Sequence, residues 1–267
     1  MGGLTRVGTI IDYEWRRALA KKSIFALIIL AIVFQTLIMV GERAASAEGF
    51  VTTDLSLIWI TGVLEGGLFV QLIAVIVGGG SMSEEYEHGT ADILLSKPIK
   101  RVEYMSGKFL GGLSLLAMVE ALITFVGVVL SLAFFGAQSG LQFAPIMVLA
   151  IIYSSLIFFC LSFMFSEVFR GTTLAILLAF AVFIASLVIS PTLTFLYGTS
   201  ARALPAWAAT EFPSLVMSEL ITGSSVLPPR DLGALGQASL IIAVYAILFT
   251  LIAAYRLLKS DVTKKTD

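Results

Sequence analysis

Six continuous apolar runs divide this chain, and each is long enough to cross a lipid bilayer. A helix that spans the hydrocarbon needs about 20 mainly apolar residues, with a range of roughly 17–25. Lipid offers the backbone no hydrogen bonds, so such runs form helices. They also lack the alternating pattern of a transmembrane β-barrel. The pattern predicts an all-α membrane protein with a single transmembrane domain over residues 1–267. Its six spans are 24–40, 55–77, 109–135, 144–165, 172–196 and 238–255.

The composition favours a membrane protein over a soluble one. Apolar residues make up 58% of the chain and charged residues 13%, whereas a soluble domain carries about 25% charged residues. The one cysteine, Cys160, lies inside an apolar run. A lone cysteine excludes a disulfide framework and a cysteine-rich metal site.

The distribution of lysine and arginine predicts which loops face the cytoplasm. One side of the predicted spans carries 14 of the 17 basic residues, in residues 1–23, in the loop between the second and third spans, at Arg170 and in the C-terminal tail. The other side carries Arg43, Arg202 and Arg230. Because cytoplasmic loops hold the excess of positive charge, both termini are predicted to be cytoplasmic.

Residues 1–23 are predicted to form an amphipathic helix at the membrane surface. Its apolar side chains recur at roughly helical spacing, at Val7, Ile10, Ile11, Trp15 and Leu19. Its positive charges are Arg16, Arg17, Lys21 and Lys22. Such a helix lies in the headgroup layer, and we expect Trp15 to be anchored there. The alternative is that this segment only sets the topology.

Two connecting loops are long enough to carry a function: the cytoplasmic segment 81–108 and the external loop 197–236. The external loop has an apolar middle, which predicts a short re-entrant helix dipping into the outer interface. The residues of that middle are Trp207, Phe212, Leu215, Val216, Met217 and Leu220.

The cytoplasmic segment predicts three short elements. Ser83 is a candidate cap for the first, with Glu84 and Glu85 in its first turn. Gly89 ends that element, and Thr90 begins a second, leucine-bearing one that Pro98 terminates. A third, basic and amphipathic, element runs from residue 99 to residue 108 into the next span. A plain turn needs only a few residues, so this length favours docking to a cytoplasmic partner over the alternative of a simple reversal of the chain.

Three polar residues lie within the predicted spans: Glu65, Gln71 and Glu120. Ionisable groups at membrane depth usually face a cavity or a partner. They are therefore candidates for a transport path, and the alternative is a purely structural role. His88, among Glu84, Glu85 and Glu87, lacks the companion ligands of a metal site. We predict no metal site and no catalytic residues.

The cytoplasmic segment resembles the ABC transporter permeases of the type-2 exporter family. The residues that carry the resemblance are Glu84-Glu85, Gly89-Thr90, Leu94-Leu95-Ser96, Pro98, Arg101 and Gly107-Lys108. Within the family, the chain is most similar to the compact six-span permeases that serve nitrous oxide reductase maturation and bacteriocin or drug export. One departure is Lys97, where the family often has an apolar or aromatic residue.

The resemblance implies a permease in the inner or plasma membrane of a prokaryote that exports a substrate. It implies two cytoplasmic ABC ATPase subunits, which bind ATP and Mg, and a second permease that forms a homodimer. No nucleic-acid partner is expected. Residues 1–23 would be the connecting helix, and the external loop would close the pathway. The ATPase contact would be made by Glu84, Glu85, Glu87, Gly89, Thr90, Asp92, Leu94, Leu95, Pro98 and Arg101.

The sequence itself separates this chain from the ATPase. It contains no G-x-x-x-x-G-K-[ST] phosphate loop, because Gly107-Lys108 is followed by Phe109 and lacks the upstream glycine. We therefore predict a transporter subunit that is not itself an enzyme and holds no cofactor. The alternative function is a motor-free secondary transporter or channel subunit. Such a protein would show inverted repeats and interrupted spans, and neither is apparent.

Overall fold

The computed structural model of the protein describes residues 3–47, 55–90, 100–198, 202, 204–221 and 227–259. These residues form helices and contain no strand. The α-helices are α1 (Gly3–Leu19), α2 (Lys22–Ala47), α3 (Ile58–Ser81), α4 (Ser83–Glu87), α5 (Arg101–Phe135), α6 (Ala144–Phe169), α7 (Thr172–Tyr197), α8 (Pro205–Leu220) and α9 (Leu232–Lys259).

Six of these helices are long and apolar enough to cross a membrane, namely α2, α3, α5, α6, α7 and α9. The predicted all-α, six-span architecture is thus confirmed. The helices are longer than the apolar runs because their end turns continue into the polar interface. In particular, α5 begins at Arg101, and the basic element predicted to run from residue 99 to residue 108 into the next span is continuous with that span. Those residues from Arg101 onward are the first turns of the third spanning helix.

Helix α3 occupies the centre of the bundle, where it packs against α2, α5, α6 and α7. Its closest crossing is with α6. A Cβ atom added to Gly78 would lie 2.6 Å from the carbonyl oxygen of Phe159, so only glycine allows this approach. Beside it, the Ser162 hydroxyl donates to the carbonyl of Val75 at 2.6 Å. Small residues bring the two backbones together, as is common where helices pack within lipid.

Hydrogen bonds define the two ends of the bundle. At one end, the Trp59 indole and the backbone of Ser56 both bond to Ser139, which joins the start of α3 to the connection between α5 and α6. The other end, here called the α1 end, gathers α1, α4, the start of α5 and the end of α9. The α1 end carries the segments that the charge distribution assigns to the cytoplasm. Its side of the membrane stays a prediction.

Helix α1 packs lengthwise on α5, and small residues of α5 receive it. A Cβ atom on Gly107 would lie 2.7 Å from Ile10, and one on Gly111 would lie 2.8 Å from the Cβ atom of Glu14. The Trp15 indole donates to the Ser114 hydroxyl at 2.8 Å. Trp15 therefore bonds to α5, and its position in the headgroup layer stays a prediction.

Helix α8 lies in the loop where a short helix is predicted, and it packs against α6, α7 and α9. Its buried side chains include Trp207, Phe212, Leu215 and Met217. The Gln71 amide, in the middle of α3, donates to the carbonyl of Ala209 at 3.1 Å. Helix α8 therefore enters the bundle beside the spanning helices.

Candidate coupling site at the α1 end

A fully buried lysine links three helices at the α1 end. Lys108, on α5, has 0% of its surface exposed. Its ammonium donates to the carboxylate of Glu14 on α1 and to that of Glu85 on α4. The hydroxyl of Tyr104, one turn earlier on α5, also donates to Glu85. Because Glu14 and Glu85 are only 3% and 2% exposed, these charges are withdrawn from water and depend on one another.

A second group of charges surrounds the first. The Arg17 guanidinium donates to Glu14 at 2.6 Å and lies 3.6 Å from Glu84. The ammonium of Lys21 donates to Glu84. Arg17 also donates to the last carbonyl of α3, that of Ser81, at 3.3 Å. We call these residues the ion cluster: Glu14, Arg17, Lys21, Glu84, Glu85 and Lys108.

The ion cluster is balanced, with three positive and three negative side chains. Burial raises the pKa of Glu14, while the nearby charges of Lys108 and Arg17 lower it. Burial likewise lowers the pKa of Lys21, and the hydrogen bond to Glu84 opposes this shift. Removing one partner from such a network leaves a buried charge without compensation, which is strongly unfavourable. The cluster therefore fixes the positions of α1, α4 and α5 relative to one another.

The turn from α3 into α4 is held by α6 and not by a serine cap. The Ser83 hydroxyl donates back to the carbonyl of Gly79 at 2.5 Å, so the cap predicted at Ser83 is wrong. The Ser166 hydroxyl, on α6, instead accepts the backbone N–H groups of Met82 and Ser83 at 3.0 and 2.8 Å. These bonds satisfy backbone N–H groups that have no helical partner where the chain turns from α3 into α4.

The predicted ATPase-contact residues occupy two different environments. Glu84 and Glu85 belong to the ion cluster, and the burial of Glu85 leaves its carboxylate unavailable at the surface. Glu87 is exposed and accepts the backbone N–H of Thr172 at 2.7 Å. Gly89 is exposed with a φ of 66°, the left-handed region that favours glycine, so it ends α4 as predicted from the sequence.

The remaining predicted contact residues lie at or beyond the edge of the described segment. The Thr90 hydroxyl donates to the carbonyl of Glu85 at 3.4 Å. Asp92, Leu94, Leu95 and Pro98 lie outside the described residues. Arg101 follows them at the start of α5, and it donates to the carbonyls of Leu257 and Leu258 at 2.9 and 3.1 Å. The segment between α4 and α5 is thus bounded by the ion cluster on one side and by the end of α9 on the other.

Sequence reasoning missed Glu14 and Tyr104. A signal for Glu14 was available, because it lies four residues after Ile10 and four before Ala18, on the apolar face of α1. A carboxylate on the buried face of an amphipathic helix requires a partner. No comparable signal marks Tyr104, whose partner Glu85 belongs to another helix.

The three predicted transport-path residues have separate surroundings. Glu120, on α5, is 0% exposed; the Thr124 hydroxyl donates to its Oε1 at 2.7 Å, and its Oε2 has no hydrogen-bond partner. Gln71 bonds to α8, as described above. Glu65, also on α3, is half-buried. Glu65 and Gln71 are six positions apart on α3, and this spacing puts them on different faces of the helix. The structure therefore does not bring all three residues to one site.

Among the described residues, no group of three or more His, Cys, Asp or Glu side chains is arranged to hold a metal ion. The carboxylates of the ion cluster are already occupied by lysine, arginine and tyrosine.

Comparison with known proteins finds a family that this chain matches. A family model described as ABC-2 family transporter protein matches residues 9–262, which is nearly the whole chain. A search of curated proteins finds no match. The matched region includes α1 from its seventh residue onward, all six spanning helices and the segment between α4 and α5.

Proposed function

Because the chain belongs to the ABC-2 family of transporter proteins and is an ABC transporter permease, we propose that it couples ATP hydrolysis by separate cytoplasmic ATPase subunits to the export of a substrate. There are two such ATPase subunits, and ATP and Mg bind to them. The permease sequence itself has no phosphate loop. The ATPases dock on the segment between α4 and α5, residues 88–100, which we call the docking segment. The contact is made through Leu94, Leu95 and the exposed residues Glu87 and Gly89.

One observation carries this proposal: the buried bonds of Lys108 to Glu14 and Glu85. The docking segment follows α4 directly, and α4 is tied through Glu85 to the third spanning helix. A partner that displaces the segment must therefore move α5 and α1 with it, or break buried ion pairs. Such a linkage suits a permease that responds to the motion of a cytoplasmic motor.

The mechanism follows from this linkage. ATP binding closes the two ATPase subunits, and their docked segments move toward each other. The ion cluster carries the displacement from α4 to α1 and α5, and the spanning helices change their packing so that the pathway opens outward. A nucleotide drives this change only if it binds the two conformations with different affinity. That difference resides in the ATPase subunits.

A second permease completes the pathway, and we propose a homodimer. Helix α7 presents a largely exposed apolar face, which includes Leu177, Val188 and Phe195. In a bilayer this face is covered by lipid or by a second copy of the chain. Glu65, Gln71 and Glu120 are proposed to line or support the transport path, with Glu120 the most costly of the three to bury.

The test is co-purification of ATPase activity with the full-length, tagged permease from the membranes of its natural host. The wild type is expected to carry vanadate-sensitive ATPase activity and a subunit with a phosphate loop, identified by mass spectrometry. The double variant Leu94→Asp, Leu95→Asp is expected to lose this activity, because charges at these positions oppose burial in a docking groove.

The matched control places the same two charges at the opposite end of the bundle. Leu196 and Tyr197 are exposed apolar residues at the end of α7, and Leu196→Asp, Tyr197→Asp is expected to retain the co-purifying activity. If the Leu94, Leu95 variant retained as much ATPase as the wild type, the docking assignment would be wrong. Transport by the purified permease alone, without nucleotide, would refute coupling as a whole.

A further inference from the structure

An apolar groove opens between α5 and α9 at the α1 end. Its cavity volume is about 300 Å³. Its walls are mainly hydrocarbon, with Met105, Phe109 and Leu110 on α5 and Ala254 and Leu257 on α9. Along α5 it extends from Arg101 to Leu110, a rise of roughly 13 Å. A groove of this shape, parallel to spanning helices, matches part of an extended acyl chain.

Basic side chains lie at the ends of the two helices that form the groove. Arg101 lines the groove itself and is anchored there by its two bonds to the end of α9. Lys100, Arg256 and Lys259 are exposed nearby, at the start of α5 and the end of α9. The start of α5 also contributes the positive end of a helix dipole. The groove thus combines an apolar interior with a positively charged rim.

The described acidic residues near this rim are either paired or buried. Glu103 lies 3.5 Å from Arg6 and accepts the backbone N–H of Lys100 at 3.2 Å. Glu167 is 0% exposed and accepts a hydrogen bond from the Tyr86 hydroxyl at 2.9 Å. Among the described residues, the exposed rim therefore keeps an excess of positive charge.

We propose that this groove binds an anionic phospholipid of the leaflet at the α1 end, with one acyl chain between α5 and α9 and the phosphate beside Arg101. Basic pockets between spanning helices at the cytoplasmic side recognise anionic headgroups in this way. The charge complementarity selects the headgroup, and the apolar walls require a lipid and not a free phosphate. The bound lipid lies against Arg101, the first described residue of α5 after the docking segment, so it stabilises the packing of α5 on α9 at that point.

The test uses the purified full-length permease in detergent and counts bound lipid by native mass spectrometry. Phosphatidylglycerol and phosphatidylcholine with identical acyl chains are compared. The wild type is expected to bind phosphatidylglycerol at least about fivefold more tightly, the difference that roughly one basic residue near the surface supplies. Glycerol phosphate, which lacks acyl chains, is expected not to compete.

Two variants separate the headgroup from the acyl chain. Arg101→Ala is expected to weaken phosphatidylglycerol about fivefold and phosphatidylcholine less, because the choline cation offsets the charge of the phosphate, whereas Arg43→Ala, at the opposite end, changes neither. Ala254→Phe fills the groove and is expected to lose both lipids. Its control, Leu251→Phe, enlarges a side chain that is 61% exposed on the lipid face of α9 and retains them.

Two outcomes would overturn the proposal. One is equal binding of the two lipids by the wild type, which would show an unselective apolar surface. The other is unchanged lipid binding by Ala254→Phe, which would place the lipid elsewhere. If Arg101→Ala is unstable because α9 loses two hydrogen bonds, Ala254→Phe decides the question alone. None of these results depends on an ATPase, so they leave the coupling proposal to its own test.

Discussion

The ammonium of Lys108 donates to the carboxylate of Glu14, although 94 residues separate the two in the chain. One residue belongs to the third spanning helix and the other to the N-terminal amphipathic helix. Their contact turns α1 from a helix that could lie loosely on the membrane into one fixed to the bundle. Since Lys108 also binds Glu85, the same ammonium joins the N-terminal helix to the helix that precedes the docking segment.

Lys108→Met is expected to destabilise the protein by about 3–5 kcal/mol, the cost of breaking a buried ion pair by removing one partner. The substitution leaves Glu14 and Glu85 buried without their common cation. The measurement is thermal unfolding of the purified permease in detergent, followed by tryptophan fluorescence.

The rescue variant combines Lys108→Met with Glu14→Gln and Glu85→Gln. It removes the two uncompensated charges and is expected to recover most of the lost stability, because a buried ion network replaced as a whole is often close to neutral. If Lys108→Met alone were as stable as the wild type, the buried pairing would be contradicted.

Gly107→Ala is expected to detach α1 from α5. The added Cβ would lie 2.7 Å from the Cβ atom of Ile10. Because that atom is bonded directly to the backbone of α1, it can move away only if the helix moves. The readout is tryptic cleavage after Arg16, whose side chain is 80% exposed. Cleavage within a helix requires local opening, so the variant is expected to be cut several times faster than the wild type.

Gly8→Ala is the matched control, because it adds the same methyl group to α1 where nothing lies within 4 Å. It is expected to be cut no faster than the wild type. Equal cleavage rates for Gly107→Ala and the wild type would mean that α1 does not pack at this distance.

The spanning helices were predictable because hydropathy is a local property of the sequence. The apolar run from 144 to 165, for example, lies within α6, Ala144–Phe169. The burial of Lys108 near the start of α5 was not predictable in this way. Lys108 reads as a polar boundary of the third span, yet the helix buries it, because its two carboxylate partners lie on other helices.

In the candidate site as well, features set by the local sequence were predictable and features set by packing between helices were not. The position of Gly89 at the end of α4 follows from its own backbone preference, and the sequence predicted it. The burial of Glu85 and the capping of the turn by Ser166 depend on α5 and α6, which are distant in sequence. Likewise, Trp15 has the amphipathic character of an interfacial anchor, but its hydrogen bond to Ser114 arises only from the packing of α1 on α5.

Gln71→Leu is expected to destabilise the protein by about 1–3 kcal/mol, the cost of a buried polar group left without a partner. Helix α8 contains Pro213, which has no N–H to donate to the carbonyl four residues earlier, that of Ala209. The Gln71 amide supplies the missing donor at 3.1 Å. Thermal unfolding in detergent measures the loss.

Pro213→Ala provides the decisive comparison, because it restores a backbone donor for Ala209 within α8. In the Gln71→Leu background it is expected to recover at least half of the lost stability, whereas in the wild-type background it adds little. The coupling between the two substitutions is read from the double-mutant cycle. Strictly additive effects would show that Gln71 does not compensate for the proline.

Glu120→Leu is expected to leave thermal stability unchanged or to raise it, in contrast to Lys108→Met. The Glu120 side chain is 0% exposed, and its Oε2 has no hydrogen-bond partner, so replacing it with an apolar group of similar size removes a desolvation cost. Thr124 loses its bond to the carboxylate, but a threonine in a helix can donate instead to the carbonyl four residues earlier. A carboxyl group that is unfavourable for stability is retained for another reason, and transport is the reason we propose. A clear loss of stability in Glu120→Leu would instead assign Glu120 a structural role and remove it from the proposed path.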